Sequence, residues 1–415
     1  MTDAMSDVDV AVVGAGAAGV AAARRLLALG RTVQVLEARE RAGGRAHTVM
    51  TAAGFPIDLS CGWLHSADRN PWAAIARELG FAIDETQPGW GERLVRAGFS
   101  RADQEDWFRS REAFYARLED GAEGPDRPAR EFLEPGNRWN GLLDAISTWA
   151  NGAELDRISA RDNRRYEDTG VNWRVLEGYG ALVERHAAGL PIKFLAPVGL
   201  VDRSGQAVKL EAASGALRAR AAILTVPPSV VAAGNIRFVP ELPAEKRAAA
   251  EGLPLGVDNK LYFSLAGEWP EIGANWHIAG SVERTATASY QLKPHGRLLV
   301  EMFSGGKLAL ELERAGAAAM ADFGRAELAK FFGAKFARAL KPLAASAWGD
   351  DPFARGSYSY ALPGHADDRA GWAAPVDGRL FFAGEAASPD FFSTTHGAYL
   401  SGIAAADAAD AALGR

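Results

Sequence analysis

In the run "GVDNKLYFSL", residues 256–265, Lys260 puts a cation at the front of an alternating apolar segment. A lysine there can guard the start of an edge strand, or it can stabilise negative charge that develops on a reacting group. Far upstream, glycines at 14, 16 and 19 follow the β-branched run "DVAVV". In that spacing the first glycine makes a tight turn and the second lets the backbone approach a pyrophosphate. The third lets the next helix pack closely, with its N-terminus favouring negative charge. Glu37 ends the following apolar run, "TVQVLEA", about twenty residues on, where a carboxylate can accept both hydroxyls of an adenosine ribose.

A second glycine pair follows at once: Gly43 and Gly44, with Arg45 behind them, in "RERAGGRAHTV". They offer more backbone N–H groups and a guanidinium near the same pyrophosphate.

These groups need particular elements to hold them. The first unit reads strand, turn, then the helix "VAAARRLLALG" closing on Gly30, then a second strand. "VKLEAASGALRARAAILTVP" reads as strands in the middle of the chain, and "GRLFFAGEA" as a buried strand near the end. Between them lie two helical stretches, "DQEDWFRSREAFYARLED" and "NRWNGLLDAISTWANG", and a mixed strand and helix region from about 240 to 345. "LERAGAAAMADFGRAELAKFFG" reads as one Ala-rich structural helix.

The bulk properties exclude other classes. At 415 residues, 48% of them apolar, two domains with large cores are expected. A net charge of −6 leaves no basic stripe for nucleic acid and no polybasic patch for a lipid surface. One cysteine, Cys61, excludes an internal disulfide and points to a reducing compartment, so a cytoplasmic protein is expected. The apolar stretch after the acidic N-terminus is followed, not preceded, by Arg24 and Arg25, unlike a signal peptide. No run is long enough to span a bilayer. Composition does not disclose an oligomeric state.

The glycine-glycine-arginine segment after the ribose carboxylate resembles that of FAD-dependent oxidoreductases. With "DLSCGWLHSADRNP", "LEGYGALVERHAAGL", "AAILTVPPSVV", "WGDDPFARGSYSYALPGH" and "GRLFFAGEAASPDFFSTTHGAYLSGIAAA" in order along the chain, the whole resembles the flavin amine oxidase family. That family includes monoamine oxidases, polyamine oxidases and flavin-dependent histone lysine demethylases. The resemblance implies an α/β fold: a Rossmann-type FAD domain assembled from 1–75, 172–240 and 346–415, with a mixed sheet-and-helix substrate domain from 76–171 and 241–345. It implies an FAD-dependent amine oxidase that moves a hydride from an amine α-carbon to flavin N5, with O2 as acceptor and hydrogen peroxide as product.

By resemblance, Lys260 reaches N5 through a water, and burial there disfavours its charged form. Residues implied in FAD binding beyond Gly14, Gly16, Gly19, Glu37, Gly43, Gly44 and Arg45 are Ala17, Ala18, Ala38, Arg39, Gly62, Trp63, Val198, Pro227, Trp348 and Thr395. Gly384 and Glu385 are implied at the ribityl and phosphate region. Gly397 and Ala398 are implied at the C2 carbonyl, where a helix dipole stabilises a reduced anion. Members with covalent flavin carry a cysteine where this chain has Ser357, so non-covalent FAD is expected. Tyr358 matches one aromatic wall of the amine site, with Phe353 as its expected neighbour.

The opposite wall departs from the monoamine oxidase pattern: Thr394 stands where those enzymes have tyrosine, which opens the pocket, or leaves the wall to Phe391 or Phe392. His65 is expected near the pocket entrance, either on substrate or satisfied by backbone groups. Three other readings stay open: an L-amino acid oxidase using Arg174 or Arg161 for a carboxylate, a desaturase-like electron-transfer enzyme, and a flavoprotein scaffold.

Overall fold

The computed structural model of the chain describes residues 7–92, 94, 97–121 and 123–414. Residues 1–6 and 415, the ends of the expected FAD-domain pieces, lie outside the described residues, as do 93, 95, 96 and 122 of the expected substrate piece.

The run "VDVAVV" is strand Val8–Val13, fully buried from Val10. It pairs in parallel with Val33–Leu36 on one side and with the far half of Gly215–Leu224 on the other. A parallel sheet is covered on both faces, which is why these strands are continuously apolar rather than alternating. Ile192–Lys193 extends the parallel part beyond Val33–Leu36, and Leu380–Phe382 joins Gly215–Leu224. The near half of Gly215–Leu224 pairs antiparallel with Val208–Ala212, followed by Val198–Asp202 and Arg237–Val239, completing eight strands.

Two helices made of small residues lie against each other on this sheet: Ala17–Ala28, which begins at Gly16, and the terminal helix Thr395–Leu413. Their backbones approach so closely that a Cβ on Gly402 would stand 2.2 Å from the Ala18 carbonyl oxygen.

A second, antiparallel sheet holds five strands in the order Trp276–Ala279, Ser289–Leu292, Leu299–Gly305, Asp258–Leu265, Leu340–Ala345. The lysine strand Asp258–Leu265 is therefore paired on both sides, and Lys260 does not guard an edge. Side chains alternate across a strand, so Asp258, Lys260 and Tyr262 share one face. A separate short pairing of Leu255–Gly256 with Tyr358–Ser359 lies at the entry of this strand and brings Tyr358 beside Asp258.

The helices Arg101–Gly121 and Asn140–Asn151 fall where the sequence placed them. The Ala-rich stretch does not form one helix. It splits into Gly306–Ala315 and Ala317–Ala339 at Gly316, whose φ of 91° is open to glycine and strained for other residues, and Gly333 (φ 78°) breaks the helical geometry again. Among the described residues no helix is long and apolar enough to cross a membrane.

Candidate active site

One cavity of about 1190 Å³ runs from Glu37 to Lys260, larger than the roughly 300–1,000 Å³ of most small-ligand pockets. At its first end Gly14 turns the chain with φ of 103°, and Gly16, Ala17 and Ala18 line the wall. Gly44 faces Gly16 so closely that a Cβ on Gly44 would lie 3.3 Å from the Gly16 Cα, and Gly43 bridges to Gly16. Two glycine turns thus leave a bare backbone cradle that a side chain would fill. Gly19 stands behind it, where a Cβ would meet the Gly14 carbonyl at 1.9 Å.

Glu37 is buried and fixed by the N–H groups of Ala15 (2.6 Å) and Arg39 (2.8 Å). A carboxylate offers about four lone-pair sites, so Glu37 keeps acceptor capacity toward the cavity it lines. Ala38 and Arg39 continue the wall, with Arg39 paired to Asp351 at 2.6 Å. Val198, Pro227 and Gly384 close the sides. Arg45 donates to Glu385 Oε1 (2.8 Å) and to the Ser357 carbonyl (2.7 Å), so part of its fork serves the protein. Burial would raise the Glu385 pKa, but Arg45 and the Ser359 hydroxyl outweigh it and hold the carboxyl below its usual range.

At the second end Lys260 is 4% exposed, with Nζ 2.9 Å from Glu301 Oε1. Gly62 makes room for it: a Cβ there would stand 3.2 Å from Nζ. Glu301 also receives Arg174 Nη2 at 3.2 Å. Burial alone would raise the Glu301 pKa; the charges of Lys260 and Arg174 pull it down to about 2. The Arg174 guanidinium lies 4.1 Å from the centre of the Trp63 ring, and Trp63 meets Trp90 edge-on at 5.0 Å.

The Tyr358 hydroxyl lies within hydrogen-bond reach of the Trp149 carbonyl at 2.7 Å and of Asp258 Oδ2. Asp258 is 3% exposed, and burial pushes its pKa well above the carboxylate range.

His65 Nδ1 lies 2.6 Å from Asn172 Oδ1, while Asn172 Nδ2 donates to the Gly170 carbonyl. That orientation makes Nδ1 the donor and leaves Nε2 an acceptor. Burial lowers the His65 pKa, consistent with a neutral ring. Thr394 lines the cavity and caps the terminal helix: its Oγ1 accepts from Gly397 N–H at 2.9 Å.

A family model described as "Flavin containing amine oxidoreductase" matches residues 17–145 and 110–409. The chain belongs to that family. Among curated amine oxidoreductases, Polyamine oxidase 4 of Oryza sativa subsp. japonica is 33% identical over 96% of this chain and 88% of its own length. Polyamine oxidase 2 of Arabidopsis thaliana is 30% identical, covering 96% and 87%. Lysine-specific histone demethylase 1 homolog 1 of Oryza sativa subsp. japonica is 32% identical, covering 95% of this chain but 51% of the demethylase homolog. A solved putrescine oxidase with putrescine bound shares the fold, with a TM-score of 0.76 at 20% identity, covering 96% of this chain and 98% of that one.

Within this amine oxidoreductase several expected residues sit elsewhere. Phe353 is 38% exposed and lies under the Arg39 guanidinium at 5.4 Å, so it belongs to the Glu37 end and is not the neighbour of Tyr358. Trp348 is buried behind the wall, donating to the Leu59 carbonyl at 3.0 Å. Gly397 gives its N–H to the Thr394 cap and is absent from the cavity lining, which holds Thr395 and Ala398. Of the two alternative aromatics, Phe392 reaches the cavity, with the Arg369 guanidinium 3.7 Å over its face. Arg161 donates to the Gly124 carbonyl and stands outside the cavity lining.

Glu301, Asp258 and Asn172 join the site without having been expected from the sequence. Asp258 had a legible signal, since it lies two residues before Lys260 on an alternating strand. Glu301 comes from the neighbouring strand, in a register that nothing local encodes. The fold also brings Cys61 to the cavity wall, with burial raising its thiol pKa.

Proposed function

We propose that this chain is an FAD-dependent amine oxidase: an amine with a hydrogen on its α-carbon is oxidised to the imine, water hydrolyses the imine to a carbonyl compound, and O2 is reduced to H2O2. The observation that carries the reading is the single cavity joining the bare glycine cradle and Glu37 to a buried end holding Lys260, Asp258 and Tyr358. FAD, when bound, supplies the two-electron acceptor. Glu37, the glycine turns and the start of the terminal helix would hold it, non-covalently, since Ser357 stands at the covalent position and its Oγ is engaged by the Asp258 backbone at 2.8 Å and 2.7 Å.

The protein's part is to bind, orient and keep dry. Lys260, held by Glu301, presents a fixed cation where negative charge develops. Tyr358 and Phe392 offer aromatic faces to the substrate, and His65 Nε2 offers an acceptor. The names of the relatives favour di- and polyamines as the substrate class. Asp168 and Glu119, both on the cavity wall, supply acidic groups for a cationic chain. We assign the FAD domain to 1–75, 172–240 and 346–415 and the substrate domain to 76–171 and 241–345. The strands of the eight-stranded sheet all come from the first set and those of the five-stranded sheet all from the second.

A second reading keeps one observation. Arg174 lines the cavity with its Nε unpartnered, as a substrate carboxylate would require of an amino acid oxidase. Arg174 is nevertheless tied to Glu301, a carboxylate it shares with Lys260, and the names of the relatives favour the amine.

The test is anaerobic: record the flavin spectrum and add polyamines, diamines, benzylic amines and amino acids paired with their decarboxylated amines. Bleaching by a di- or polyamine is expected, and peroxide on admitting air. Bleaching by the amino acid but not its amine would transfer the assignment to the second reading. Acid precipitation should release the flavin into the supernatant.

A further inference from the structure

Asp258 is the one carboxylate of the lysine strand, with its Oδ2 on the Tyr358 hydroxyl and its Oδ1, although fully buried, without any hydrogen-bond partner. A buried acceptor left unpaired costs about 1–3 kcal/mol, so it is retained only where something else satisfies it. The residue lines the cavity. It lies two residues, about 7 Å along a strand, from Lys260 and on the same face. Beside it is the C-terminal turn of the helix Asn140–Asn151, whose Ala150 and Asn151 also line the cavity; the end of a helix carries partial negative charge.

The single proton of Tyr358 cannot serve both of its contacts. The Trp149 carbonyl only accepts, and a phenol has one proton. Both contacts of Tyr358 are satisfied only if Tyr358 donates to Trp149 and Asp258 Oδ2–H donates to Tyr358. The groups acting on Asp258 are Tyr358 and, from its own strand, Lys260; Lys260 shares the single charge of Glu301 with Arg174, so part of its charge still acts on Asp258. Burial, which favours the neutral acid, agrees with this count.

We propose that Asp258 receives the cationic nitrogen of the substrate: Oδ1 accepts an N–H of the amine while Tyr358 and the helix end hold the carboxyl in place. The inference rests on the amine-oxidase reading. Asp258 would make up for the open side left by Thr394 by fixing the nitrogen through charge where related enzymes use a second aromatic face.

The step balances simply. A substrate ammonium meets the neutral acid, the Oδ2 proton passes to solvent while Tyr358 turns its own proton from the Trp149 carbonyl to Oδ2, and one ammonium proton is left shared between Oδ1 and the nitrogen. With that proton on Oδ1 the amine is neutral, and its lone pair is free to assist loss of hydride from the α-carbon.

A permanent cation isolates this step. Butylguanidinium, which stays charged across the usable pH range, should perturb the flavin spectrum of the holoenzyme when titrated anaerobically. Calorimetry in two buffers of different ionisation enthalpy should show about one proton released per cation bound. Wild-type binding without proton release overturns the proposal, and this arm needs no variant. Asp258→Asn, checked for unchanged flavin content, should bind butylguanidinium at least tenfold more weakly and release no proton. Half-maximal bleaching by the best amine should need at least tenfold more of it, with Asp258→Glu recovering part of the loss. Equal affinity of the Asn variant overturns the proposal even if amines bleach the wild type. If no amine bleaches the wild type, the amine-oxidase reading and the inference built on it fall together.

Discussion

The ion pair between Lys260 and Glu301 is where burial and chemistry meet. Two cations, Lys260 and Arg174, share one buried carboxylate, and breaking a buried pair costs more than forming it gains, because the partner is left charged and dry. Glu301→Gln should therefore destabilise the protein by about 3 kcal/mol or more, measured as a shift of the denaturant midpoint. An unchanged midpoint would show that water reaches the pair. Lys260→Met removes the cation without stranding one, since Arg174 still matches Glu301. It should slow anaerobic flavin reduction by amine, reoxidation by O2, or both, in stopped flow; both rates at wild-type values would remove Lys260 from the mechanism. Thr394 lines the cavity and caps the terminal helix. Thr394→Ala should lose about 1 kcal/mol of stability through the cap, and Thr394→Ser, which keeps the hydroxyl, should restore most of it. If the two variants were equally unstable, the methyl and not the cap would be what matters.

Among the elements, the contact between Ala17–Ala28 and Thr395–Leu413 sets the cradle, because both helices point their N-terminal ends at the cavity. Gly402→Ala places a methyl 2.2 Å from the Ala18 carbonyl, and overpacking of this kind costs about 1–3 kcal/mol. The helices must separate, so the purified variant should carry less flavin per chain as well as unfold earlier; full flavin occupancy would show that the cradle does not depend on this contact. The sequence made the first unit of strand, glycine turn and helix legible, because each part has a local signature. It also gave the Ala-rich stretch as one helix, wrongly. Alanine favours helix everywhere it occurs, and the break comes from single glycines at 316 and 333 whose positive φ is a backbone choice made by packing.

At the scale of the whole molecule, acid stability is a sum of opposed contributions. His396, His47 and His186 are held to about 4 by burial first and, secondarily, by neighbouring cations or histidine. In the unfolded chain they titrate near 6.5. The unfolded state thus binds more protons between those values, and stability from these groups is lost as pH falls from about 6.5 to 4. Asp258 and Asp58, raised by burial, act in the opposite sense. A difference measurement isolates one group: the stability of wild type relative to His396→Gln should fall by about 3 kcal/mol between pH 7 and pH 4. A constant difference would mean that His396 titrates normally. His47 and His186, only half-buried, should contribute less.

The sequence alone determined the glycine-rich end of the cavity. Gly14, Gly16, Gly19, Glu37 and Gly43 to Arg45 lie within one stretch of chain, and local turns and caps carry their meaning. Their order with the later motifs was enough to point to the family. Tertiary structure alone decided the other end. Glu301 meets Lys260 across a strand pairing, Tyr358 meets Asp258 across the seam between two sheets, and Phe353, five residues from Tyr358, is turned to Arg39 instead. Contacts between residues far apart in the chain depend on register and on which face of a strand is buried. Neither is written in the residues on one side of the contact.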